Sequence, residues 1–448
     1  MKIKVFKYIM IYIILFAFFI VMLTLTSSIP TDKIYKNVKT SSEVLLREGN
    51  RLIKEIPYRN HNMQFDNYTD ALMINSAYSI DFKQPLYSAF VARKNYIPNI
   101  TTEIYEDSVG ELRSSSKYEY HNEVGELHDL VNGEKAESFE YARYWHGYLI
   151  VLRPLLVLFN INQFRIILSI VLVILAIILV SLISKKINFS TGIIFLTGLL
   201  GIEYFYLGYS LQGVFIFLIM MIVSIIILSR YNKIKNLGLI FFITGMLTNF
   251  FDFLTVPIVT LMIPLIIYFL LKQSEESLNI KTIFVEGIKY SFVWGIGYGL
   301  TWLTKWVLID VLYNKNMISV AINQVLYRST AKTNAKAYNI YSVINENFEY
   351  IIVPIFISIL CTFSMINLKL ILKKHTIVKQ DKEKILTVIL PYAIILSIPF
   401  VWYALLQNHS YYHAFFTYRN LIITNICLNI IMVKIFSSYF KEENKNEK

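Results

Sequence analysis

The chain has 448 residues, of which 55% are hydrophobic and 17% charged, and its formal net charge is +12. That composition excludes an ordinary soluble domain, where about a quarter of residues are charged. The positive total does not mark a nucleic-acid binder either: residues 26–146 hold 18 acidic and 14 basic side chains, and the remaining chain carries +16 in short segments between apolar runs. This is the charge pattern of a polytopic membrane protein with Lys- and Arg-rich cytoplasmic loops.

The chain opens with Lys2, Lys4 and Lys7 and an apolar run to Leu25. About 20 such residues cross the hydrocarbon core. The following Thr26-Ser27-Ser28-Ile29-Pro30 is a poor small-x-small cleavage site, so residues 1–25 are read as an uncleaved anchor. Residues 26–162 then form an α-rich extracytoplasmic loop domain. It has no cysteine, since Cys361 and Cys427 both lie in apolar runs, so it folds without disulfides. Near its end, Tyr148–Asn160 is apolar but too short to span, and is expected to lie at the outer interface, with Arg153-Pro154 breaking or orienting it.

Nine further apolar segments follow, near 164–184, 190–207, 211–229, 236–251, 254–272, 283–311, 349–372, 385–406 and 417–437. The fold class expected is therefore an all-α polytopic membrane protein with about ten transmembrane helices, the bundle occupying 163–437 and a cytoplasmic tail 438–448. Alternate connections hold Lys185-Lys186, Arg230 to Lys235, Lys272 to Lys281 and Lys373 to Lys384. Both termini are thus placed in the cytoplasm, and the polar block outside, in a plasma membrane. The wealth of Ile, Lys and Asn suits an AT-rich bacterial genome. Gly295-Ile296-Gly297-Tyr298-Gly299 resembles a phosphate loop on paper, but it lies in an apolar run with no preceding strand, so close helix packing is the expectation.

Polar groups on the outer side are the ones that bear on chemistry. Asp66 and Asp70 share a face if their segment is helical, and either could take a proton from an acceptor hydroxyl. The competing reading is that Thr69 or Asp70 caps a helix beginning at Ala71. His146 and Arg153 stand among aromatics where the chain re-enters the membrane, an arrangement that also describes an interfacial anchor. Asp252 ends one span, and Lys305 and Asp310 lie near the outer end of another; ionisable groups at that depth are functional suspects. His409 and His413 have i, i+4 spacing, but no Glu follows the first His, so an anionic headgroup is expected there rather than zinc, with Arg419 as a third cation. No nucleotide-binding or hydrolase motif is present, which leaves an activated substrate arriving through the membrane.

One span, a large outer polar block, an interface helix and then a bundle resembles the layout of the C-type glycosyltransferases, over nearly the whole chain. The resemblance implies an essential outer-loop acid, for which Asp66 and Asp70 are favoured over Asp32, and a lipid-linked donor docked between spans. It further implies donor phosphate at Lys305, His413 and Arg419, with His146, Arg153, Asp252 and His409 as further substrate contacts, and inversion at the anomeric carbon. The expected partners are a polyprenyl-phosphate-linked sugar, a cell-envelope glycan or lipid acceptor, and membrane lipids, with no nucleic acid. No cofactor and no metal ligand is assigned, and a divalent metal stays open. A surface-polysaccharide polymerase or ligase would share this chemistry, and a transporter or flippase of lipid-linked saccharide is the non-enzymatic alternative.

Overall fold

The structure, a computed structural model, describes residues 2–49, 52–54, 63–97, 102–106, 112–116, 122–275, 279–330, 339–372, 375–377 and 382–442. Nineteen α-helices among these residues make the chain predominantly helical.

Helix α1 (Lys2–Ser27) has no charged residue between Lys7 and its end and exposes one flank of apolar side chains, as a lipid-facing helix does. The polar block follows. Helix α2 (Thr31–Glu48) is amphipathic, burying Ile34, Val38, Val44 and Leu45 on one stripe. Strands β1 (Leu52–Lys54) and β2 (Met63–Phe65) pair, and α3 (Asn67–Tyr78) begins directly after Asp66. Then come α4 (Pro85–Phe90), β3 (Ala92–Tyr96), β4 (Thr102–Glu106), β5 (Leu112–Ser116), α5 (Glu123–Val131) and β6 (Glu137–Tyr141). β3 pairs antiparallel with β6, and β4 with β5. The small strand pairs add to the helical expectation for this block. A buried ion trio holds it together: Lys94 on β3 reaches both Glu123 and Glu126 on α5, the latter at 2.8 Å.

Helix α6 (Leu149–Leu158) is the expected short apolar helix, and it runs unbroken through Pro154. Breakage at Arg153-Pro154 is thus corrected: Pro154 lies inside the helix and forgoes the one amide bond that position 154 would make to Ile150, and the helix still continues to Leu158. Asn160 and Gln163 form a capping box that starts α7 (Ile161–Lys186). The bundle continues with α8 (Phe189–Gly201), α9 (Leu211–Arg230), α10 (Leu237–Phe251), α11 (Val259–Glu275), α12 (Ile280–Tyr313), α13 (Met317–Ser329), α14 (Ile340–Glu349) and α15 (Ile352–Leu372). Strand β7 (His375–Ile377), α16 (Lys382–Leu405), α17 (Gln407–Tyr412), α18 (Ala414–Thr417), α19 (Ile422–Tyr439) and strand β8 (Phe440–Glu442) complete it.

Among the described residues, six helical stretches are long and apolar enough to cross a membrane: Val5–Ser27, Ile161–Lys186, Leu211–Lys233, Ile352–Leu372, Ile385–Leu405 and Ala414–Tyr439. The chain is therefore a multi-pass membrane protein by length and composition of its helices. Of the other expected spans, α8 stops after 13 residues, where Glu203 takes a left-handed φ of 58°, and α10 has 15 residues. Helix α11 has 17 residues and is almost wholly buried, while α12 has length in excess but carries Glu286, Lys289, Lys305 and Asp310.

Helices α10 and α12 cross in close contact. A Cβ on Gly297 would fall against the Phe242 carbonyl, and one on Gly245 against that of Trp294. The packing expected of the glycine run is carried by Gly297 alone, since Gly295 and Gly299 face open space. The connections sort to two ends. Residues 143–145 touch α12 near Thr301–Trp306, Arg328 touches His409, and Asn347 touches Ser410 and Thr417. At the opposite end, β7 pairs with β8, which brings the segment after α15 beside the end of α19.

Candidate functional site

The acids and cations singled out from the sequence divide between two clusters at the end of the bundle that carries the polar block. The first joins that block to the bundle. Asp66 is the N-cap of α3, accepting from the Thr69 amide at 3.0 Å, so the capping residue is Asp66 and the helix starts at Asn67 rather than Ala71. Its second oxygen accepts from the Gln212 side chain in the first turn of α9. Asp70, one turn on, accepts from the Leu211 amide at 2.8 Å and from Arg165 at 3.2 Å. An acid on α3 thus caps α9, whose own Ser210 makes no side-chain cap. Arg165 also binds Glu48 at 2.8 Å and Asn67 at 2.8 Å. Burial pushes the Asp66 pKa up, against the Thr69 and Gln212 hydrogen bonds and the nearby Arg419 charge. Burial likewise raises Asp70 to about 7, against the Arg165 charge. Arg419 donates to the carbonyls of Ile202 at 3.1 Å and Phe415 at 3.3 Å.

The second cluster lies where the segment 143–148, the turn after α10, the second half of α12, α13 and α17 meet. Lys305 is fully buried and donates to the Tyr144 carbonyl, with the Trp145 ring 5.3 Å away. Trp145 and Trp306 donate to the Thr301 and Arg143 carbonyls, both at 3.0 Å, so α12 staples this segment in place. Asp310 does not pair with Lys305; it accepts from the Met317 and Ile318 amides and caps α13. His146, at a left-handed φ of 54°, bonds the Tyr141 carbonyl through Nε2 at 2.7 Å. Burial and then the Lys305 charge lower its pKa to about 3, so it is neutral and its Nε2–H is the donor.

Asp252 caps the turn after α10. Its Oδ1 accepts from the Thr255 amide at 2.8 Å and the Thr255 hydroxyl at 2.7 Å. Its Oδ2 is buried and has no hydrogen-bond partner among the described residues. The Tyr298 hydroxyl lies within electrostatic reach, in a contact looser than a hydrogen bond. Burial raises the Asp252 pKa to about 6, against its bonds to Thr255. In the same turn Leu254 has a left-handed φ of 64°, a strained state for a leucine, and its carbonyl meets His409 Nε2 at 2.6 Å. His409 Nδ1 lies 2.6 Å from Arg328 Nη1. An arginine only donates, so Nδ1 is the acceptor and Nε2–H donates to Leu254. Burial, then Arg328 and His413, hold the His409 pKa well below its usual value. Arg328 also donates to the Tyr144 hydroxyl at 3.0 Å.

Aromatic rings wall this cluster. Tyr144 packs on Phe253 at 5.1 Å and Trp302 at 6.3 Å between centroids, and Tyr298 on Trp302 at 5.3 Å. His413 stacks on Phe416 at 5.1 Å, 4.8 Å from the His409 ring. On the elements that meet here, the Trp302 indole N–H of α12 and the amide groups of Asn249 in α10, Gln324 in α13 and Asn408 in α17 also contain buried atoms without a hydrogen-bond partner among the described residues. Such orphaned groups each cost free energy when nothing pairs with them.

The structure therefore brings together His146, Asp252, Lys305, His409 and His413, and separately Asp66, Asp70 and Arg419. The expected convergence of Lys305, His413 and Arg419 is corrected in part: Arg419 is turned to the Ile202 carbonyl and to Asp66, the first cluster. Arg153 joins neither; its guanidinium is spent on the carbonyls of Thr26, Ile29 and Ala77. Among the described residues no three His, Cys, Asp or Glu side chains converge as a metal site would need. Sequence reasoning passed over Arg328, Gln324, Tyr298 and Trp302. Arg328 follows an apolar stretch like any flanking cation, and only its place beside Tyr144 and His409 distinguishes it. In comparisons with family models, curated proteins and solved structures, nothing matches this chain.

Proposed function

We propose that this chain is a membrane glycosyltransferase that moves a sugar from a polyprenyl-phosphate donor to a cell-envelope acceptor at the outer membrane face. The observation that carries the reading is the buried Asp252 Oδ2 without a hydrogen-bond partner among the described residues, in a cluster walled by aromatic rings, held by Arg328 and built from elements that bear further orphaned polar atoms. Sugar hydroxyls would pair with such atoms, and aromatic faces suit the C–H face of a sugar ring. In this reading the shorter helices complete ten spans, both termini are cytoplasmic, and residues 26–147 lie outside.

Asp252 Oδ2 takes the proton from the acceptor hydroxyl. The oxygen attacks the anomeric carbon, the bond from that carbon to the phosphate oxygen breaks, and polyprenyl phosphate leaves with the electron pair. Arg328 stabilises the charge gathering on that phosphate from a site with little water. Neutral His409 sets the arginine's position by accepting from it. Asp66 and Asp70 hold the outer block to the bundle in this account, because each has both oxygens committed.

The test is release of polyprenyl phosphate from a synthetic polyprenyl-phosphate hexose in proteoliposomes with a cell-envelope lipid fraction. Asp252→Asn should lower turnover about 100-fold or more, the scale of a general base. With wild type, the rate should fall below pH about 6, where Asp252 becomes protonated and cannot accept. Wild-type turnover in Asp252→Asn, with Asp66→Asn or Asp32→Asn inactive, would move the base to the outer block. Absence of any hexose transfer by wild type would return the transporter alternative.

A further inference from the structure

At the end of the bundle opposite this site lies a cavity of about 790 Å³, between the start of α1, the turn joining α9 to α10, and the first half of α12. Its lining is divided by chemistry. Val5, Leu237, Val293 and Ile296 give apolar walls, while Lys235 and Lys289 give two cations. Neither lysine is in an ion pair among the described residues, although Lys289 sits 5.3 Å from the Tyr290 ring. The nearby Glu286 cannot neutralise them, because it is already engaged by Lys272 at 2.7 Å and by the Tyr268 hydroxyl at 2.8 Å. Tyr8 fixes the turn by donating to Asn236 at 3.3 Å.

The flanks beside the cavity are greasy and open: Ile9 is 51% exposed, Ile288 66% and Phe292 66%. On a membrane helix those faces meet acyl chains. The cavity thus borders side chains that face lipid, and its lining carries two cations. A small soluble anion would satisfy the lysines and leave the apolar walls bare; a two-chain lipid with a phosphate satisfies both.

We propose that this cavity binds an anionic phospholipid from the leaflet at the basic end of the bundle, its phosphate between Lys235 and Lys289 and its chains along the apolar walls. The site is independent of the outer cluster and of the activity proposed for it. Basic residues near a membrane surface each strengthen attachment of anionic lipid, and two of them together correspond to about 30-fold in affinity.

The experiment is native mass spectrometry of the full chain released from detergent with phosphatidylglycerol, with phosphatidylcholine, or with inorganic phosphate. The expected result is one retained phosphatidylglycerol per chain, little phosphatidylcholine, and about 30-fold weaker retention in Lys235→Gln/Lys289→Gln. Lys185→Gln/Lys186→Gln removes the same charge from the same end but away from the cavity, and should leave retention unchanged. Equal loss in both double variants would overturn the proposal in favour of diffuse surface charge. So would equal retention of phosphatidylcholine, or displacement of the lipid by millimolar inorganic phosphate, which would assign the cavity to a soluble anion.

Discussion

Replacing Arg153 by Met should loosen the outer block from the membrane bundle rather than remove a substrate contact. The guanidinium is fully buried and donates through Nε to Thr26 at 2.9 Å, and through its two terminal nitrogens to Ala77 and Ile29. These carbonyls lie at the end of α1, in the turn after it and on α3, so one side chain ties three segments to α6. Methionine fills similar volume, strands the Ala77 and Ile29 acceptors and removes one of two bonds to the Thr26 carbonyl, which keeps the Ile29 amide at 3.2 Å. At about 1–3 kcal/mol for each buried group left unpaired and about 1 kcal/mol for the bond lost at Thr26, the gross cost is about 3–7 kcal/mol. Part is returned, since the charge itself is held at a disadvantage. Burial draws the Arg153 pKa down to about 10, which corresponds to about 3 kcal/mol against the charged form. The net expectation is a loss of about 2 kcal/mol. Arg153→Lys keeps the charge but cannot present the planar fork to three directions, and should lie between the two. The assay is unfolding of purified protein in mixed micelles with increasing SDS, together with limited proteolysis of residues 26–147. Stability of Arg153→Met within about 1 kcal/mol of wild type, or Arg153→Lys no better than Arg153→Met, would refute this account of the residue.

Two further outcomes follow from the same geometry. The His146 pKa is lowered from 6.5 to about 3 by burial and the Lys305 charge, so the unfolded chain binds a proton that the folded one refuses. Its contribution is fully present above pH 6.5 and is lost as pH falls, at about 1.4 kcal/mol per pH unit, or about 2 kcal/mol by pH 5. His146→Asn, which tolerates the left-handed backbone, should flatten that acid slope in the same SDS titration; an unchanged slope would place the titrating group elsewhere. For topology, cysteines at Glu134 and Asn232, in a chain with Cys361→Ala and Cys427→Ala, should differ in intact cells. An impermeant thiol reagent should label position 134 and spare 232, and the reverse pattern would invert the orientation.

The sequence by itself determined the membrane character, because a run of apolar residues longer than the bilayer is thick has few other destinations. It also placed the short apolar helix before α7, whose start is written in Asn160 and Gln163. The helical nature of the Asp66 segment was legible, but not which acid caps it, since Asp66, Thr69 and Asp70 all have side chains suited to that role. What only the tertiary structure decided is which polar groups are already spent. Arg153, Arg419 and Asp252 read alike in sequence as polar residues at the edge of apolar runs. In the fold, Arg153 is consumed by three carbonyls and Arg419 by two, while Asp252 keeps one oxygen without a hydrogen-bond partner among the described residues. The difference depends on backbone atoms from segments more than a hundred residues away, such as Thr26 for Arg153 and Ile202 for Arg419. No local pattern encodes where those carbonyls will point, and the same holds for Arg328, whose meeting with Tyr144 and His409 exists only once α13, α17 and residues 143–148 have packed together.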